Sequence, residues 1–154
     1  MLRISKIIDY GTLMLTYMAG SPDRLYSAPE LAAALGLGQA TVSKILKLLG
    51  AHQLVRSVRG ARGGYALGRP ASQISVAQIV DALDDQPFGL TECTATPGLC
   101  SFESDCRIRS NWQRINAAVR RTLEEVSVAD MIQPAPAVSM VRVSNQPLLR
   151  DTAN

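Results

Sequence analysis

The segment from Ser27 to Leu67 leaves this chain few folds to choose from. Ser27-Ala-Pro-Glu30 has the pattern of a helix start: the serine hydroxyl can accept from a first-turn amide, and Glu30 can return the bond. The predicted helix is short, Ala28 to Leu35, because Gly36-Leu37-Gly38 stops it. A further helix is expected from about Gln39 to Ala51, with Val42, Ile45, Leu46 and Leu49 on its buried face. Then the period changes. Leu54-Val-Arg-Ser-Val58 alternates, Gly60-Ala-Arg-Gly-Gly64 is a turn cluster, and Tyr65-Ala-Leu67 can return as the partner strand. Two helices joined by a glycine turn and followed by a basic hairpin describe a helix-turn-helix with a wing.

The flanks read as helices. Arg3 to Ala19 repeats apolar residues near the 3.6 period and ends at Gly20-Ser21-Pro22-Asp23. Ser75-Val-Ala-Gln78 is a second capping box and opens a helix through Ile79, Val80 and Leu83. From Ile108 the apolar positions Trp112, Ile115, Val119, Leu123 and Val126 follow at intervals of 4, 3, 4, 4 and 3. That seam suits a helix packed along another helix. Past Gln133, the prolines at 134, 136 and 147 and the lack of a period predict a flexible tail over residues 133–154.

Charge is segregated along the chain. The net charge is only +3, yet no Asp or Glu occurs from Leu31 to Val80, where Lys44, Lys47, Arg56, Arg59, Arg62 and Arg69 stand. From Pro70 to Cys106 there is no Lys or Arg, and Asp81, Asp84, Asp85, Glu92, Glu103 and Asp105 stand instead. An acid-free basic block over a helix and hairpin implies a polyanion, and double-stranded DNA fits best. The candidate contacts are Gln39, Thr41, Ser43, Lys44 and Lys47 on the helix and Arg59, Gly60 and Arg62 on the hairpin.

All three cysteines, Cys93, Cys100 and Cys106, fall within fourteen residues of a Gly- and Pro-containing loop. The spacing lacks the short knuckles and fourth Cys or His of a zinc site. The one histidine, His52, closes a predicted helix and reads as a surface or packing residue. Three thiolates on a flexible loop suit an iron–sulfur cluster. The uncharged runs Tyr10–Pro22 and Leu31–Ser43 have thirteen residues each, below the ~20 a membrane helix needs. The N-terminus lacks the pattern of a signal peptide. A cytoplasmic protein is expected, and an enzyme is not, since no nucleophile–base set or phosphate-binding loop is found.

Leu2-Arg-Ile-Ser-Lys6 with Asp9-Tyr10, Thr41-Val-Ser-Lys-Ile-Leu-Lys47, Ser57-Val-Arg-Gly60 and Gly63-Gly-Tyr65 together resemble the Rrf-two family of winged-helix regulators, the family of IscR and NsrR. Ile74-Ser-Val-Ala77, Leu90-Thr-Glu-Cys93 and Asn111-Trp-Gln-Arg-Ile-Asn116 are most similar to its SUF-operon regulator subgroup. The resemblance covers about residues 1–132. It implies a dimer in which the long helix pairs with its mate through Ile108, Trp112, Ile115, Val119 and Leu123. It also implies a cluster, 2Fe-2S or 4Fe-4S, on Cys93, Cys100 and Cys106, and repression of cluster-assembly genes by the loaded form. IscR-like members carry a His three residues after the last cysteine; here Arg109 stands there, and a guanidinium has no lone pair for iron. NsrR-like members take an Asp from the partner subunit's N-terminus, and Asp9 matches that position. Glu92, Glu103 and Asp105 are local carboxylate alternatives, otherwise read as solvated loop residues. The Cys93–Cys100 spacing is one residue longer than in IscR-like members, and Ser43 replaces their recognition-helix Glu.

The expected architecture is mainly α with a small β-hairpin: a winged helix-turn-helix over residues 1–84, a cluster-binding loop over 85–107, a dimerisation helix over 108–132 and the tail. The rival functions are a nitric-oxide or redox sensor on the same scaffold and a cofactor-free DNA-binding regulator.

Overall fold

The computed structural model describes residues 4–60 and 62–133. The tail expected from 133 onward lies outside the described residues beyond Gln133, as do Leu2 and Arg3 of the N-terminal motif.

Among the described residues, seven α-helices and one hairpin follow in the order α1 (Lys6–Ala19), α2 (Ala28–Leu35), α3 (Gln39–Ala51), β1 (Val55–Val58), β2 (Gly64–Leu67), α4 (Val76–Leu83), α5 (Glu92–Ala95), α6 (Arg109–Glu125) and α7 (Val128–Ile132), with a 3-10 turn at Ala71–Gln73 before α4. Local chemistry sets most boundaries. Ser5 caps α1 by accepting from the Ile8 amide at 3.4 Å, so this helix starts three residues later than its apolar period suggests. Ser27 and Glu30 form the capping box of α2, and Ser75 and Gln78 that of α4; a serine N-cap is worth about 0.5–2 kcal/mol over alanine.

The core is one apolar cluster. Met14, Leu15 and Met18 of α1, Leu31 of α2, Ile45, Leu46 and Leu49 of α3, and Ile79 of α4 are all at most 1% exposed. Gly11 belongs to the same contact: a β-carbon there would run into the end of the Leu83 side chain, so the bare position lets Leu83 of α4 pack directly on the α1 backbone.

The hairpin is antiparallel, with Val55 opposite Leu67 and Val58 opposite Gly64. Strand β2 is anchored near its turn-side end, since Tyr26 and Tyr65 exchange two backbone hydrogen bonds at 2.9 and 2.8 Å. The chain is thus a winged helix-turn-helix with additional helices.

The 108–132 segment differs from the single helix expected. Ile108 is the N-cap of α6, and α6 ends at Glu125. Ser127 and Asp130 form a fresh capping box that starts α7. The Val76 amide donates to the Val126 carbonyl at 2.9 Å, and the Val128 amide to the Ile74 carbonyl at 2.8 Å. Val128 is fully buried in the winged-helix core. Burying that side chain contributes about 1.5–3 kcal/mol, so the chain returns to the first unit instead of extending away from it.

Candidate nucleic-acid interface and cysteine loop

Helix α3 presents two faces. Val42, Ile45, Leu46 and Leu49 are buried, while Gln39, Ser43, Lys44 and Lys47 are exposed and Thr41 is half-buried. The α3 N-cap is Gly38, whose lack of a side chain leaves first-turn amides open. On the wing, Arg59, Gly60 and Arg62 are exposed. Gly60 has φ +121°, a region closed to most side chains, and a β-carbon on Gly63 would collide with the Val58 carbonyl. The tight tip therefore depends on these two glycines. Among the described residues, none of Lys44, Lys47, Arg56, Arg59 and Arg62 enters an ion pair. The expected DNA-contacting residues therefore lie on one helix face and one hairpin tip, with their charge unneutralised.

The cysteine loop has more structure than its sequence suggests. Thr91 opens the single-turn helix α5, its amide donating to the Thr94 hydroxyl at 3.0 Å. Cys93 is buried on α5, with Sγ 3.3 Å from the Thr91 hydroxyl. Cys100 and Cys106 are half-buried, and all three thiols are free. The Cys100 carbonyl accepts from the Glu103 amide at 3.1 Å, and the Cys106 carbonyl from the Arg109 amide at 3.2 Å.

Glu103 departs from the expectation of a solvated carboxylate. Its side chain is only 11% exposed and pairs with the Arg109 guanidinium, while its second oxygen accepts the Gly98 amide at 2.6 Å. An ion pair made with the residue that replaces the family histidine has no local signature in the sequence. Asp105 stays exposed and accepts from the Ser104 hydroxyl. Asp9 is exposed on the first turn of α1, and His52 is the exposed C-cap of α3.

The donor set matches an iron–sulfur cluster in kind, because three soft thiols share one loop with a single turn of helix. Their present arrangement does not gather them: among the described residues, no three His, Cys, Asp or Glu side chains converge on one metal ion.

Helix α6 buries none of its residues within one chain. Its apolar seam divides. Ile108, Trp112 and Ile115 are 57%, 37% and 42% exposed, whereas Val119 and Leu123 line a cleft shared with α1, α4 and the loop after α4. The expected dimer seam is therefore open to a partner at its N-terminal half and turned toward its own chain at the other.

The profile of Rrf2, described as an iron-dependent transcriptional regulator, matches residues 4–134. The chain belongs to the Rrf2 family. Protein aau3 of Rhizobium meliloti (strain 1021) is 28% identical over 153 residues, covering 99% of both chains. Among solved structures, CymR, the global cysteine regulator of B. subtilis, is 27% identical with a TM-score of 0.67, covering 86% of this chain and 97% of its own. T. potens IscR is 25% identical with a TM-score of 0.68, covering 92% and 93%. Rrf2 proteins are DNA-binding transcriptional regulators, and this chain carries their winged helix. No described helix is long and apolar enough to cross a membrane.

Proposed function

We propose that this Rrf2 regulator is a cytoplasmic homodimer whose hold on operator DNA is set by an iron–sulfur cluster on the loop over residues 85–107. The observation that carries the reading is the position of that loop. It joins the winged helix to α6, so whatever orders the loop acts on the joint between the DNA-binding unit and the helix offered to a partner. Exposed apolar side chains at Leu99, Phe102, Ile108, Trp112 and Ile115 favour a second copy as that partner.

Cys93, Cys100 and Cys106 would hold the cluster, with Asp9 of the other subunit as the fourth ligand. When bound, the cluster supplies a redox- and iron-sensitive cross-link between these thiolates. The protein's own part is to open the loop enough for three thiols to meet, with the Glu103–Arg109 pair setting the resistance. On the DNA side, α3 enters the major groove through Thr41, Ser43 and Lys44. Arg59 and Arg62 hold the backbone or minor groove beside it. By the family resemblance, the regulated genes are SUF-type cluster-assembly genes and the loaded form represses them.

Anaerobic purification followed by absorbance, iron and sulfide assays tests the proposal. The protein should be brown, and Cys93→Ala, Cys100→Ala and Cys106→Ala should each bleach it. Asp9→Ala should shorten the lifetime of the colour in air. A colourless, iron-free wild type that still binds DNA would instead favour a cofactor-free regulator. Rapid bleaching by nitric oxide at unchanged iron supply would favour the nitric-oxide sensor.

A further inference from the structure

Two residues one turn apart on α6 touch the two parts of the molecule that a sensor has to connect. The Asn116 Oδ1 accepts the Leu90 amide at 3.1 Å, three residues before Cys93. The Arg120 guanidinium forks onto Asp81 of α4 at 2.6 and 2.8 Å, while its Nε donates to Glu124 at 2.7 Å. The same guanidinium lies over the Phe88 ring, 5.7 Å from its centre, on the segment leading to the cysteines. Beneath these contacts is a cleft of about 350 Å³ lined by Ile8, Val80, Phe88, Leu90, Val119 and Leu123. Loop, α1, α4 and α6 all meet there.

We infer that Asn116 and Arg120 are positioning residues that couple the cysteine loop to the winged helix, through Leu90 and Phe88 on one side and Asp81 on the other. Arg120 and Asp81 are 29% and 39% exposed, so solvent screens the pair and limits what it adds to folding. The bidentate fork adds geometry instead: it fixes the α6–α4 angle in a way that a single contact would not. Helix α4 is packed through Ile79 and Leu83 into the core that holds α3, so a shift of the loop reaches the DNA-contacting helix as a rigid displacement.

This inference rests on the proposed DNA-binding reading but not on a bound cluster, because coupling is reciprocal: DNA must then alter the loop. The test uses the full chain with Cys100→Ser and Cys106→Ser, leaving Cys93 as the single thiol. Labelling of Cys93 by an uncharged maleimide is timed with and without a duplex selected by this protein from a random-sequence pool; if none is recovered, bulk sheared duplex DNA at low salt takes its place. Saturating DNA should change the labelling rate by about 5-fold or more, the lower end of usual couplings. Asp81→Asn and Asn116→Ala should each bring that ratio close to one while leaving DNA affinity nearly unchanged.

A ratio unchanged in both variants, no effect of DNA in the parent, or loss of DNA affinity in both variants would each overturn the inference. Direct shielding of Cys93 by DNA would survive both substitutions and is thereby distinguished. The cluster reading fails separately, on a colourless native protein, and can do so while the DNA-dependent ratio persists.

Discussion

The Arg109 guanidinium meets the Glu103 carboxylate across the turn that carries Cys106, and the same carboxylate holds the Gly98 amide. One side chain thus restrains the loop on both sides of Cys100. Glu103→Gln weakens two charge-assisted bonds in a partly solvated site, a loss of roughly 1.5 kcal/mol, or about tenfold in local opening. Maleimide labelling of Cys100 and Cys106 should speed up by that factor, while the melting temperature barely moves. Equal labelling rates in variant and wild type would mean that the pair does not restrain the loop.

The wing prediction concerns salt. Arg59 and Arg62 are exposed and free of intrachain ion pairs among the described residues, so their charge is available to phosphates. Replacing both with Ala should lower DNA affinity and flatten the plot of log affinity against log salt by up to about two phosphate equivalents. Titrations at several salt concentrations measure this directly. A parallel line at unchanged affinity would remove the wing from the interface.

Ile115 is 42% exposed in a single chain, so a charge there costs the isolated subunit little. In a dimer seam it would be an unpaired buried charge, at a cost of several kcal/mol. Ile115→Lys should therefore give a folded monomer by light scattering, with a near-native helical spectrum and little DNA binding, since two half-sites need two linked winged helices. An intact dimer would move the interface off this seam.

Acid should loosen two helix starts. The Ser27 amide, then its hydroxyl and the Arg24 guanidinium, hold the Glu30 carboxyl below its usual value of 4.5. The Ser127 hydroxyl, then its amide, hold Asp130 below 3.8. A carboxyl depressed in the native state stabilises fully above its ordinary value, and the contribution is lost as pH falls through the native one. Melting temperature should be flat near neutrality and fall below about pH 4.5, less steeply in Glu30→Gln with Asp130→Asn than in wild type. Identical slopes would show that these caps do not govern the acid transition.

What the sequence made legible was local. Ser27 with Glu30, Ser75 with Gln78, and the glycines around Leu37 lie within four residues of what they control, and α2, α3 and the start of α4 follow from them. The basic block and the cysteine cluster are likewise compositional. The break at Val126 was hidden because the seam spacing runs through it, although Ser127-x-x-Asp130 is itself a capping signal. Asn116 with Leu90, Arg120 with Asp81, and Val128 with Ile74 join positions 26 to 54 residues apart. A single sequence gives no periodic or spacing signal for such pairs. The burial of Glu103 is invisible for a related reason, since burial of a loop carboxylate depends on where the loop folds back.

The return of α7 has a consequence for how the protein is made. Its Val128 fills the same core as Met14 and Leu15 of α1, so α1 is completed only by the last of the described helices. A ribosome adding about 5–20 residues per second needs several seconds to bring these partners together, and further chain must clear the exit tunnel before they can meet. Until then α3 rests on an unfinished core. A newly made chain thus acquires a fully packed DNA-binding unit only after its cysteine loop and α6 have been made. Products that stop short of α7 would lack Val128 in that core.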